Sequence, residues 1–259
     1  MSETYRVYWQ PGCSSCLRTK EFLIDQGIHF ESINVVESPG AMSDLAALGF
    51  RSVPVVARGE LGTYCQDLRD VADFVGVSLA GPQLTAEQYV EKCQRIIAAA
   101  QRFACQLSGQ QLREHFPGRD RPYSDLVYHI FMVVQAFVAA AEGGTLEYEW
   151  FERVTPEGLS DGPTLAHTGE QVKTGLQNWW RRMDRGLPAE MDTYYGRRDA
   201  LGVLERTTWH AAHHCRQLQA VLEMHGVTPD GPLGDAELAG LPLPEGVYDN
   251  EIRMQPDPN

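Results

Sequence analysis

The sequence predicts a small α/β domain followed by an all-α four-helix bundle. Three observations carry this. Short β-rich runs alternate with helical patterns over residues 5–77, a Gly-Pro linker at 78–84 ends that alternation, and four long stretches of helical apolar period follow. At 259 residues and 43% hydrophobic content, the chain is long for one domain and apolar enough for two cores.

The elements follow in order. YRVYW at 5–9 reads as a strand, 14–26 as a helix stopped by Gly27, and 29–35 as a second strand. A short helix over 38–49 has Pro39 near its start and Gly49 at its end, and after it come VPVVA, GTYC and a helix over 67–75. The linker sets a boundary near residue 81, giving domains 1–80 and 81–226. In the second, Thr85 and Gln88 form a capping-box pattern, and Tyr89, Cys93, Ile96, Ile97, Ala100, Phe103, Ala104 and Leu107 mark one face. A second helix starts behind Ser124 and stops at Gly143-Gly144, a third spans 164–184, and a fourth runs over 198–225 to Gly226. The tail, 227–259, is rich in Pro, Gly and Asp and reads as loosely packed.

Charge narrows the partners. A formal net charge of -13 repels nucleic-acid phosphates and anionic lipid headgroups, so neither nucleic acid nor a membrane is an expected partner. With no signal-peptide pattern at its start and no run of about 18 apolar residues, the chain reads as soluble and cytoplasmic. Six cysteines are too few for a disulfide scaffold at this length, and only Cys13 and Cys16 are closely paired.

That pair carries chemistry. Cys13 follows a predicted strand and opens a predicted helix, where unpaired N–H groups favour the thiolate, while Cys16 lies one turn deeper. The arrangement suits an attacking thiol, Cys13, and a resolving thiol, Cys16. A CxxC is also half of a zinc site, but no second CxxC or nearby CxxH supplies the other half. CSSC, SVPVV and CQDL together make residues 5–77 resemble the glutaredoxins, which implies a thioredoxin-like fold and a cis bond before Pro54. The resemblance also implies that Val53 and Pro54 with Cys65, Gln66 and Asp67 hold glutathione or a related low-molecular-weight thiol, with Arg18 and Lys20 left to offset its carboxylates. The sequence departs from the family at Gln10, where a lysine is usual, and at Ser14-Ser15, where Pro-Tyr is usual. Cys65 reads equally well as a small buried residue at a strand end.

The second cluster is HAAHHC at 210–215. On a helix, His210 pairs with His214 at i, i+4 or with His213 at i, i+3, and either spacing can chelate. Val203, Thr207, His210, His214, Leu218 and Val221 continue one core-facing row. His213 shares a face with Arg206, Trp209, Arg216 and Gln217 that reads as wetter and, through its arginines, hostile to a cation. A third ligand must come from another helix, and His129 is the candidate, with His167 as runner-up; His29, His115 and His225 read as surface or boundary residues. Residues 84–226 resemble the DinB/YfiT-like metal-dependent bundles through His129 and HAAHHCRQL. That resemblance implies a divalent metal on three histidines and, in several members, a low-molecular-weight thiol used in S-transfer or isomerisation. Zinc is the first expectation, nickel or iron the alternatives. The chain therefore reads as a thiol-disulfide oxidoreductase fused to a metal-dependent thiol S-transferase or isomerase, with a small-molecule thiol and electrophile as partners and room for a homodimer. Alternatives are a redox or metal-responsive sensor, or a disulfide reductase with a non-catalytic bundle.

Overall fold

The computed structural model describes residues 4–115, 121–159, 161–183 and 186–249. The chain forms two compact units, Met1–Gly81 with Pro244–Asn259, and Pro82–Leu243.

The first unit is a thioredoxin-like α/β fold. Strands β1 (Tyr5–Trp9), β2 (Phe30–Asn34), β3 (Val55–Arg58) and β4 (Leu61–Tyr64) combine with helices α1 (Ser14–Asp25), α2 (Ala41–Ala47) and α3 (Leu68–Val75). The sheet order is β2-β1-β3-β4, with β1 parallel to β2 and antiparallel to β3. Alternation along the strands divides the core in two. Val7 and Val56 pack with Phe22, Leu23, Leu68 and Val71 from α1 and α3. Tyr8, Val55 and Ala57 pack on the other side with Ala41 and Leu45 from α2. Full burial of a side chain such as Leu23 or Leu45 contributes about 1.5–3 kcal/mol. Helix α1 ends at Asp25, one residue before the expected Gln26, and Gly27 supplies the left-handed turn at φ 67°.

The second unit is built on four long helices, α4 (Ala86–Gln106), α5 (Tyr123–Ala141), α6 (Gly162–Arg182) and α7 (Ala200–Met224), with a short α8 (Asp235–Leu238). Helices α4 and α5 each pack against both α6 and α7. By length and composition α5 is apolar enough to cross a membrane, but 61% of that stretch is buried, as in a core helix. Thr85 and Gln88 close the capping box expected at α4. Helix α5 starts at Tyr123 after Pro122, so Ser124 lies inside it and is no cap. Helix α6 starts two residues ahead of the expected 164, because Asp161 caps it and Pro163 occupies its first turn. Its expected end at Asp184 lies outside the described residues. Gly162 is required here: a Cβ would sit 2.3 Å from the Ala104 carbonyl oxygen of α4.

The helical unit also carries a small hairpin. It is formed by strands β5 (Glu190–Thr193) and β6 (Gly196–Asp199), joined by Tyr194-Tyr195 with Gly196 at φ 107°. The strand takes up Arg197 and Arg198, so α7 begins at Ala200 behind an Asp199 cap instead of at 198. The tail is not loose over its described residues either. Arg102 and Gln106 donate to the carbonyls of Asp230, Gly231 and Thr228 in the second unit. In the first unit, Glu21 accepts the Glu245 and Gly246 N–H groups, and Lys20 forms a buried ion pair with Asp249 at 2.9 Å.

Candidate functional site

The redox pair sits where β1 hands over to α1. Cys13 caps α1 from extended backbone, and its Sγ accepts the Cys16 N–H at 3.2 Å. Cys13 is half-buried and Cys16 is 1% exposed, and the two form a disulfide with Cα atoms 5.2 Å apart. Only Cys13 is open to an incoming sulfur, and the helix N-terminus beneath it stabilises a thiolate.

The residues assigned to a thiol ligand lie together where the cis proline meets the end of β4 and the start of α3. The Val53–Pro54 bond is cis, and both side chains are buried. Cys65 and Gln66 are buried as well, and the Cys65 N–H donates to the Pro54 carbonyl at 3.2 Å. Burial pushes the Cys65 thiol up to about 12, so it is a core residue and no nucleophile. Asp67 caps α3 through the Arg69 N–H and takes the Arg69 guanidinium at 2.6 Å. Burial raises its pKa, but the Arg69 hydrogen bonds outweigh this and the carboxyl stays below the usual range. Lys20 is not free to meet a thiol's carboxylates, being paired with Asp249 and set over the Trp9 ring at 4.0 Å.

In the helical unit three histidines converge. His129 from α5 and His210 and His214 from α7 are 4%, 7% and 2% exposed, and one ring nitrogen of each lies within 4.8 Å of the others. His129 Nε2 is 3.4 Å from His210 Nε2, which is 2.9 Å from His214 Nε2. His214 Nδ1 lies 2.7 Å from Gln217 Oε1; an amide oxygen only accepts, so Nδ1 is the donor of this bond. Burial first, and the neighbouring His214, Arg206, His129 and His213 after it, lower the His210 pKa well below the usual range and keep it neutral. Nitrogens each about 2.1 Å from a tetrahedral zinc stand about 3.4 Å apart; the His129–His210 spacing matches this and the His210–His214 spacing is shorter, so the three imidazoles are a candidate ligand set for a divalent ion.

His213 lies outside the cluster, but not on a wet face. It is 0% exposed, and Gln217 Nε2 approaches its Nε2 at 3.3 Å. The face misread as solvent is covered because α7 packs against α4, α5 and the hairpin at once. The charge of Arg206 also acts on His210 itself. The runner-up His167 is exposed and bonds Gln171. Sequence reasoning missed Gln217, which bonds His214, Phe151, whose ring stacks on that of His210, and Tyr194, whose ring packs on Phe151. A glutamine three residues after His214 and four after His213 was the available signal for the first; the other two come from loops with no local pattern.

Residues 6–61 match the glutaredoxin family. The chain is similar to the glutaredoxin-like protein NrdH of Escherichia coli (strain K12), 42% identical over 55 residues that make up 21% of this chain and 68% of that protein. Its likeness to the protein of the same name from Lactococcus lactis subsp. lactis (strain IL1403) is 32% identity over 54 residues, 21% of this chain and 75% of the relative. The helical unit beyond this match is read from its own geometry. The half-exposed Cys13, the buried Cys16, the cis proline and these matches converge: the chain belongs to the glutaredoxin family, with residues 6–61 as its thiol redox domain.

Proposed function

We propose that the chain handles small thiols at two sites: a dithiol unit that reduces disulfides, and a helical unit that activates a low-molecular-weight thiol for transfer to, or isomerisation of, a small electrophile. In the first unit the Cys13 thiolate attacks a disulfide and expels one thiolate, and Cys16 then attacks Cys13 Sγ and expels the other. The two electrons leave the cysteines as their own disulfide, which an external dithiol reductant must reopen.

The convergence of three buried imidazoles from two helices carries the second half of the reading. His129, His210 and His214 would hold a divalent metal, zinc first and nickel or iron next, and when bound it lowers the pKa of a coordinated thiol. Gln217 holds His214 in the ligating tautomer, and the buried rings keep bulk water away. The resemblance to DinB/YfiT-like bundles supports the same reading. Elemental analysis of the purified chain, followed by a screen of thiols against electrophiles with and without metal, tests it; a chain that takes up no divalent ion sinks this half.

A second reading has one observation in its favour. Cys65, Gln66 and Asp67 are buried or committed, which suits a disulfide reductase without a dedicated glutathione pocket and a helical unit that catalyses nothing. Metal uptake without metal-dependent turnover of any thiol would favour it.

A further inference from the structure

One charged side chain of the helical unit has no part in the chemistry above. Arg206 is 5% exposed and lies one helical turn before His210 on α7. Its Nη2 donates to Tyr194 Oη at 3.3 Å, while its buried Nε has no hydrogen-bond partner and no carboxylate pairs with it among the described residues. The guanidinium lies 5.2 Å from the Phe151 ring centre and 5.5 Å from that of Tyr195. Phe151 in turn stacks on His210 at 5.9 Å and 7°, so Arg206 and His210 share one aromatic wall. Phe151 and Tyr194 are only half-buried, and the wall reaches the surface of the unit.

Two acids close in sequence to these residues are engaged elsewhere. Asp125, one turn before His129 on α5, accepts the Thr155 N–H at 2.8 Å, and Glu205 accepts the Tyr89 hydroxyl at 2.8 Å. Among the described residues the site thus gathers three imidazoles and a guanidinium with no carboxylate bonded to Arg206, and a divalent ion would add to the positive charge. A buried guanidinium without a counter-anion is strongly unfavourable, and aromatic faces offset only part of that. Its planar fork is the shape that holds a carboxylate by two parallel hydrogen bonds.

We propose that Arg206 binds the carboxylate of the small molecule on which the helical unit acts, beside His210, so that the site selects carboxylate-bearing substrates. This rests on the reading of the helical unit as a small-molecule site, but not on the metal. The carboxylate can belong to the thiol or to the electrophile.

The test uses the full chain, pre-reduced, with benzoate as probe and benzamide as its neutral twin of similar shape, titrated by calorimetry with and without zinc. Wild type should bind benzoate at least about 10-fold more tightly than benzamide, as expected for a hydrogen bond to a charged group. Arg206→Gln should abolish the preference and Arg206→Lys should keep part of it. Equal affinity for the two probes in wild type overturns the proposal even if no variant folds, as does a preference that survives in folded Arg206→Gln. His214→Ala separates this from the metal reading: it should lose zinc yet keep the benzoate preference, whereas retained zinc would refute the metal reading and leave Arg206 standing. Displacement of benzoate by 3-mercaptopropionate but not succinate places the carboxylate on the thiol, the reverse places it on the electrophile, and displacement by neither counts against the assignment.

Discussion

The two candidate sites are built by opposite strategies. Cys13 and Cys16 are three residues apart, and one strand-helix junction places both of them. His129 and His210 are 81 residues apart, and they meet only because α5 and α7 pack side by side. The cysteine site needs a half-exposed sulfur, since its partner is another sulfur that must approach along the S–S axis. The histidine site needs the reverse, because neutral imidazole donors are secured by burial. A local site tolerates damage to distant packing; an assembled one does not.

The sharpest way to break this comparison is at the sulfur. Cys13→Ser should abolish disulfide reduction outright, whereas Cys16→Ser should still attack and accumulate the mixed disulfide, seen by mass spectrometry. Turnover retained by Cys13→Ser would reverse the assignment. At the assembled site, His129→Ala, His210→Ala and His214→Ala should each lose most bound metal. His213→Ala should keep the stoichiometry but weaken affinity about 10-fold, because Gln217 loses a neighbour and with it some hold on His214. Competition against a chelator measures both effects, and full affinity in His213→Ala would show that His213 adds nothing to the hold of Gln217 on His214.

The reach of sequence reasoning follows the same division. The succession of elements in the first unit, the CxxC junction and the α4 capping box were legible because each is written within a few residues, and the cis proline through the SVPVV segment shared with the glutaredoxins. His129 was legible only as an apolar-face histidine opposite an HxxxH. What failed was the environment of α7. Periodicity gives one buried stripe, but a helix packed on α4, α5 and a hairpin is buried all round, so His213 and Arg206 look wet in sequence and are dry in the fold. The hairpin itself was hidden because residues 190–199 are polar and charged, without the apolar alternation that marks a strand.

Cysteine chemistry offers a graded test. Burial pushes Cys65 up to about 12, so at pH 8 it should react with iodoacetamide at least about 100-fold more slowly than reduced Cys13. The raised pKa also fixes the sign of a stability change. The neutral thiol is favoured in the fold, so its contribution is complete below the ordinary thiol pKa of about 8.5 and is lost as pH rises toward about 12. Cys65→Ala should flatten that alkaline decline in the first unit; fast alkylation of Cys65 in the folded chain would contradict its placement.

The tail tests what composition cannot reveal. Lys20 and Asp249 are both buried, and Asp249→Ala strands a charge, which should cost the first unit about 3 kcal/mol. Lys20→Met combined with Asp249→Leu should restore most of it. A single replacement with no effect on the denaturation midpoint would return the tail to the loose state its Pro, Gly and Asp content suggests.

The smallest effect expected is at the start of the helical unit, where Thr85 accepts the Gln88 N–H at 3.3 Å and Gln88 accepts the Thr85 N–H at 2.8 Å. Both residues are exposed, so water replaces part of what Thr85→Ala removes, and the cost should be about 1 kcal/mol. In a unit of this size that is a fall of about 2–4 °C in the melting of the helical signal. The cysteine site lies in the other unit, so the rate of disulfide reduction well below the transition should not change. A Thr85→Ala chain that melts normally but reduces disulfides more slowly would mean that the local site depends on distant packing after all, and the contrast between the two sites would fail at its weakest joint.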